Sequence, residues 1–213
     1  MRPTRGVREV GPGIALALLH ALRDSDTPDE VIEDESFRIS LPRRLGLNDV
    51  VDAQMRRYED MRRRGGTVRT EEYASLLRLI GRRPDAEDVF ATAGARLAEV
   101  RFPPAGRLAL TRGRLTPRAL LRRRLVREMA GVAAALNPGA RIVAAPADCA
   151  IDVSGGALAS STDEGCAGAL LTAALEVCAR RRYDEQAEVV HPRCESRGDE
   201  SCRWVVTVPG TVG

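Results

Sequence analysis

Two cysteines and a histidine within the stretch His191 to Cys202 limit how this chain can fold more than any other feature. Glu188-Val189-Val190 leads into the stretch and Trp204-Val205-Val206-Thr207-Val208 leads out of it. Both runs read as strands, and the polar Ser196 to Ser201, with Gly198-Asp199 at its centre, reads as the turn between them. Such a hairpin sets Cys194 opposite Cys202. His191, three residues before Cys194, joins them if the strand kinks at Pro192. Two thiolates and an imidazole are three of the four ligands of a tetrahedral zinc. For the fourth, Cys166 stands at the start of the preceding helix, where the helix dipole favours a thiolate. Cys178 is a weaker rival, about three turns further along that helix. Each cysteine also has a plainer reading as a small buried residue, and Cys149 and Cys178 fit that reading best.

The rest of the chain divides by periodicity. Residues 1–139 read as mainly helical, after a loose tail at 1–9. Pro12 starts an apolar helix through Leu22, buried or dimer-forming, with His20 on it as a core or interface residue. Asp24 to Ser40 reads as an acidic loop with an extended piece at Phe37-Arg38-Ile39. A helix over 49–64 has Asn48 as its cap and Val50, Val51, Met55, Tyr58 and Met61 as its stripe; Gly65-Gly66 stops it. Further helices start at Thr70 and at Pro84, the latter acidic in its first turn. Gly94, inside that helix, is expected to admit a close helix crossing, or else a flat ligand. Thr116-Pro117 starts a long helix to Leu136, closed by Asn137-Pro138-Gly139.

Residues 140–213 change character. Ala140 to Ala145 and Cys149 to Val153 read as strands around a Pro146 turn. Ser154-Gly155-Gly156 is another turn, followed by a short strand. A helix capped by Thr162-Asp163-Glu164 runs to about Arg182, and the hairpin closes the sheet. The prediction is one domain over 1–213 of α+β class: N-terminal helices, then an antiparallel sheet with a helix packed across it, closed by the cysteine-bearing hairpin.

Composition removes several chemistries. The 33 basic residues are all arginine, which excludes a Schiff-base or P-loop lysine. No G-x-G-x-x-G follows a strand, so no site for NADPH or another electron donor is evident. A net charge of +3 does not point to nucleic acid, and no run is long enough to span a membrane. Arg62-Arg63-Arg64 and Arg122-Arg123-Arg124 read as solvated helix faces, or as contacts for ligand carboxylates. Five cysteines without a visible signal peptide predict metal or free thiols in a cytoplasmic protein.

The run Val189-Val190-His191-x-x-Cys194-x-x-x-Gly198-Asp199-x-x-Cys202-Arg203-Trp204-Val205-Val206 resembles the 4-vinyl reductase domain family. That family takes its name from a bacteriochlorophyll-biosynthesis protein and includes ligand-sensing domains of phenol-responsive regulators. The one-domain layout resembles the stand-alone biosynthetic members. The resemblance implies a structural zinc on Cys166, His191, Cys194 and Cys202, with histidine here where the sensors carry glutamate. It also implies a tetrapyrrole partner, other pigment-biosynthesis enzymes as company, and reduction of the vinyl group of a divinyl (proto)chlorophyllide. Zinc has no redox chemistry, so the residues themselves favour binding and delivery of the pigment. The alternative is a zinc-stabilised sensor domain without enzymatic activity. Candidate pocket walls are Phe90 to Leu97, Ile142, Val143 and Trp204, with Arg101 or Arg107 facing propionates. The apolar first helix is compatible with a homodimer.

Overall fold

The computed structural model describes residues 9–26, 47–103, 117–161 and 166–208. Phe37-Arg38-Ile39, Arg107, the Thr116 cap and the Thr162-Asp163-Glu164 cap lie outside these residues. In chain order the elements are β1 (Glu9–Val10), α1 (Pro12–Ser25), α2 (Leu47–Arg63), β2 (Val68–Arg69), α3 (Thr70–Gly81), α4 (Ala86–Arg101) and α5 (Arg118–Leu136). There follow β3 (Arg141–Ala145), β4 (Ala150–Ser154), α6 (Ala157–Ser161), α7 (Gly168–Arg182), β5 (Glu188–Arg193) and β6 (Cys202–Thr207). Helices therefore precede an antiparallel sheet of order β3-β4-β6-β5, and the α+β layout holds. A second, two-stranded sheet pairs β1 with β2, so Glu9, expected at the end of a loose tail, belongs to the body.

With few aromatics, the core is built from aliphatic and small residues. Its centre is the crossing of α4 and α7. α4 presents Ala86, Val89, Phe90, Ala93, Gly94 and Ala98. α7 presents Leu170, Leu171, Ala174, Leu175, Cys178 and Ala179. Gly94 lets the two backbones touch, because a Cβ there would run into the Leu170 carbonyl. The glycine serves helix packing, and no ligand can lie against it. Burial pushes the Cys178 thiol up to about 12, as expected of a core residue.

α1 is buried through Ala15, Leu16, Leu18, Leu19, Ala21 and Leu22, and packs on α2 and α4. Its apolar faces are consumed within the chain and do not call for a second copy. His20, half-buried, faces Arg23 at its rim. α3 joins α5 through one buried polar contact: the Tyr73 hydroxyl donates to the Leu136 carbonyl at 2.8 Å, satisfying a helix-end acceptor.

The Asn137 side chain, almost fully buried, holds the end of α5 to the turn after β4. Its Nδ2 donates to the Gly155 carbonyl at 3.1 Å, and its Oδ1 accepts from Leu158 N at 2.9 Å. Ala157 to Ser161 is consequently a short helix, not the strand expected there. Asn48 likewise falls inside α2, which begins one residue earlier, so it is no cap. Pro146–Asp148 forms a single 3-10 turn, after which Cys149 takes a left-handed φ of 52° and its carbonyl accepts from Val206 N.

The inner face of the large sheet carries Ile142, Val153 and Cys202 in one row, and Ile151 and Trp204 in the next. On the outer face Asp152 pairs with both Arg203 (2.8 Å) and Arg193 (2.9 Å). Val143 lies on that outer face and is 46% exposed, so it cannot line an interior pocket.

Candidate metal centre

β5 and β6 pair in register from Glu188↔Thr207 to Val190↔Val205, and then slip before Arg193↔Arg203. The slip falls at His191-Pro192. Proline cannot donate to the ladder, so the strand bulges there and turns the His191 side chain toward the interior. The turn after Cys194 is a 3-10 segment, Glu195–Arg197, closed by Gly198 at φ 95°, a conformation that suits glycine. The Asp199 carboxylate accepts from Cys194 N at 2.7 Å and pins the turn.

These local choices bring His191, Cys194 and Cys202 together, with all three ligand atoms within 4.8 Å of one another. The two sulfurs are 3.9 Å apart. Two thiolates on one tetrahedral zinc sit about 3.8 Å apart, given Zn–S bonds of about 2.3 Å. The two cysteines are 6% and 8% exposed, so a charge on either sulfur needs a local counter-charge. Burial, reinforced by the neighbouring Cys194, pushes the Cys202 thiol up to about 12, while a hydrogen bond from Glu195 N to its sulfur at 3.4 Å works the other way.

His191 supplies the most telling atom. Its ring stacks on Trp204, with centroids 4.1 Å apart and planes within 5°. Gly168, at the start of α7, leaves the room in which the ring lies. Trp204 is itself fixed, since its Nε1 donates to Thr172 Oγ1 at 2.8 Å and that hydroxyl reaches the Gly168 carbonyl. The ring held this way has a buried Nε2 with no hydrogen-bond partner. Burial, with Arg197 nearby, lowers the imidazole pKa to about 4, so the ring is neutral near pH 7 and its nitrogen is free to ligate. A buried, orphaned nitrogen on a ring grouped with two sulfurs is costly without a cation and satisfied by one. The donor set of one nitrogen and two sulfurs suits zinc.

Of the four residues expected from the sequence, the structure gathers these three. Cys166 stands in the turn before α7, half-buried, its carbonyl accepting from Ala169 N, and is not part of the gathered set. Cys178 is buried among core residues of α7. Cys149 is buried as well.

Four supporting residues were not foreseen in this role. Trp204 was read as a pocket wall, yet it orients His191. Gly168, Thr172 and Glu195 were not singled out. The Glu195 carboxylate accepts from Gly155 N at 2.9 and 3.1 Å and ties the hairpin turn to the β4–α6 turn. Glutamate directly after a ligand cysteine is a weak sequence signal, and Thr172 carries none at all.

At the centre is a small cavity of about 20 Å³, bordered by His191, Cys194, Cys202, Gly168 and Trp204. That is room for one water molecule or one small ligand atom. It is far too small for a tetrapyrrole ring.

No family model, no curated protein and no solved structure matches the chain. The reading of the site therefore rests on its own geometry.

Proposed function

We propose that this chain is a metal-stapled binding domain of the 4-vinyl reductase type. In this reading it serves bacteriochlorophyll biosynthesis in the cytoplasm by holding and delivering a divinyl tetrapyrrole intermediate. What supports it is one observation: the His191 ring, with a buried and unpartnered Nε2, is gathered with two cysteine sulfurs 3.9 Å apart. That is the constellation the sequence resemblance implies for a structural zinc. Cys166, in the turn before α7, would be the fourth ligand, and the metal would then staple the hairpin to α7.

Bound there, zinc contributes charge neutralisation and cross-linking. The chain's own residues do the rest. Trp204 and Gly168 hold the imidazole in plane, Asp199 fixes the turn and Glu195 anchors it to the β4–α6 turn. Delivery is favoured over reduction because zinc has no redox chemistry of its own. Other pigment-biosynthesis enzymes would then receive the pigment and supply the electrons.

The test has two parts. Elemental analysis of the purified chain should give about one zinc per molecule, lost in the Cys166→Ser variant or upon chelation. Titration with divinyl protochlorophyllide should shift its absorption bands without forming the ethyl product, with or without NADPH. A metal-free but fully folded chain would remove the staple. Formation of ethyl product from NADPH alone would replace the carrier with a reductase.

A further inference from the structure

We propose that the outer end of α5 docks on an anionic lipid membrane. The chain carries +3 overall. Arg118, Arg122, Arg123, Arg124 and Arg127 on α5, with Arg182 of α7 beside them, set six guanidiniums against one carboxylate, Glu128. That local charge of +5 exceeds the charge of the whole molecule. Glu128 is divided between Arg124 (3.2 Å) and Arg182 (3.4 Å). Among the described residues Arg122 forms no ion pair and donates to the Tyr183 hydroxyl. Among the described residues, Arg118, Arg123 and Arg127 form no ion pair, and α5 has no acidic residue in its first turn.

Elsewhere several arginines are ion-paired. Arg57 pairs with Glu72, Arg83 with Asp26 and Asp85, Arg96 with Asp24, and Arg193 and Arg203 with Asp152. Among the described residues Arg56, Arg62, Arg64 and Arg82 form no ion pair either; what marks this end of α5 is six guanidiniums gathered around one carboxylate beside an exposed leucine.

The shape decides which polyanion fits. From Pro117 to Arg124 every residue but the half-buried Leu121 is exposed, and the first buried one is Leu125. The first two turns therefore project from the body. Leu120, 53% exposed, shares a surface groove with Arg123, Arg124 and Arg127. A nucleic acid would meet the guanidiniums but gain nothing from Leu120. A bilayer takes both, phosphates at the headgroup level and leucine beneath them. The cytoplasmic leaflet carries the needed negative charge. Among the described residues no helix is long and apolar enough to cross a membrane, so the contact is peripheral.

The experiment sediments the full chain with phosphatidylcholine vesicles, with or without about 30% phosphatidylglycerol. Binding is expected to the anionic vesicles only, falling at least about tenfold when salt rises from roughly 0.1 to 0.5 M. Arg123→Glu with Arg127→Glu should weaken it about a hundredfold, and the milder Arg123→Gln with Arg127→Gln about tenfold. Leu120→Ala, which leaves the charge alone, should weaken it roughly threefold to tenfold. None of these side chains is buried, so melting temperature should not move. The proposal is overturned if neutral vesicles bind equally, if neither vesicle binds, or if the arginine variants bind like the parent. It is also overturned if an oligonucleotide at equal phosphate concentration strips the chain from the vesicles. The surface shares no residue with the metal centre, so its failure leaves that centre standing.

Discussion

α7 is gripped by α4 and by the β5–β6 hairpin in opposite ways. Against α4 it offers alanine, leucine and a bare carbonyl, and Gly94 makes the fit by having no side chain at all. Against the hairpin it offers Gly168 and Thr172 to a stacked Trp204–His191 pair, backed by two sulfurs. The first contact is dry, tolerates no added atom and needs no ligand. The second is polar, and its His191, Cys194 and Cys202 form a group that could hold a cation. A core made of small aliphatic residues can grip helices through backbone proximity, but a hairpin with few large side chains needs another device to be held shut.

The sharpest way to break this contrast is to remove the device. Cys194→Ser with Cys202→Ser should abolish metal content and cost the hairpin roughly 4 kcal/mol, read as faster amide exchange in β5 and β6. Exchange in α4 should stay slow, and a chelator should reproduce the effect in the parent but add nothing to the variant. If α4 loosens equally, the two regions are one cooperative unit and the contrast fails.

Next in size is Gly94→Ala, which drives a methyl into the Leu170 carbonyl. It should lower stability by roughly 3 kcal/mol in urea denaturation, with metal content unchanged. A neutral result would mean that the crossing is looser than the geometry shows.

Acid should then separate the regions without mutation. Burial first, and Arg197 second, hold the His191 imidazole down at about 4, below its ordinary value of 6.5. Between those values the unfolded chain binds the proton and the folded chain does not. Stability therefore falls as pH drops through that window, and above it the contribution is complete. The full shift corresponds to about 3 kcal/mol, and with the ring only part-buried the expected loss is roughly 2 kcal/mol, confined to hairpin probes such as Trp204 fluorescence. Protonation of the cysteine ligands acts in the same direction.

The smallest effect tests the helical side. Tyr73→Phe leaves the buried Leu136 carbonyl without its donor and should cost about 1 kcal/mol, equally with and without metal.

Much of this contrast was legible in the sequence, because each part depends on local rules. Proline at position 12, the apolar spacing in α3 and the Asn137-Pro138-Gly139 stop placed helices with little ambiguity. Gly94 in mid-helix announced a close crossing, since helix interiors rarely keep a glycine without such a reason. The kink at Pro192 follows from proline's missing donor, and with it the inward turn of His191. What stayed hidden depended on partners far apart in the chain. Ala157 to Ser161 becomes a helix because Asn137, some twenty residues earlier, supplies its first acceptor. β1 exists because Val68 and Arg69 lie alongside it. The stacking of Trp204 on His191 needs the whole sheet register, and no local pattern encodes it. Whether Cys166 joins its three partners rests on the turn before α7, where sequence spacing sets a reach but not a direction.

Pro192 has a second effect, on the outside of the molecule. β5 is the last strand of its sheet, so its outward edge offers a row of backbone groups to any strand that drifts past. The bulge at Pro192 throws that row out of line, and Arg193 adds charge beside it. A fibril would have to grow from an edge that cannot be copied, and the residue that aims an imidazole inward also keeps neighbouring molecules apart.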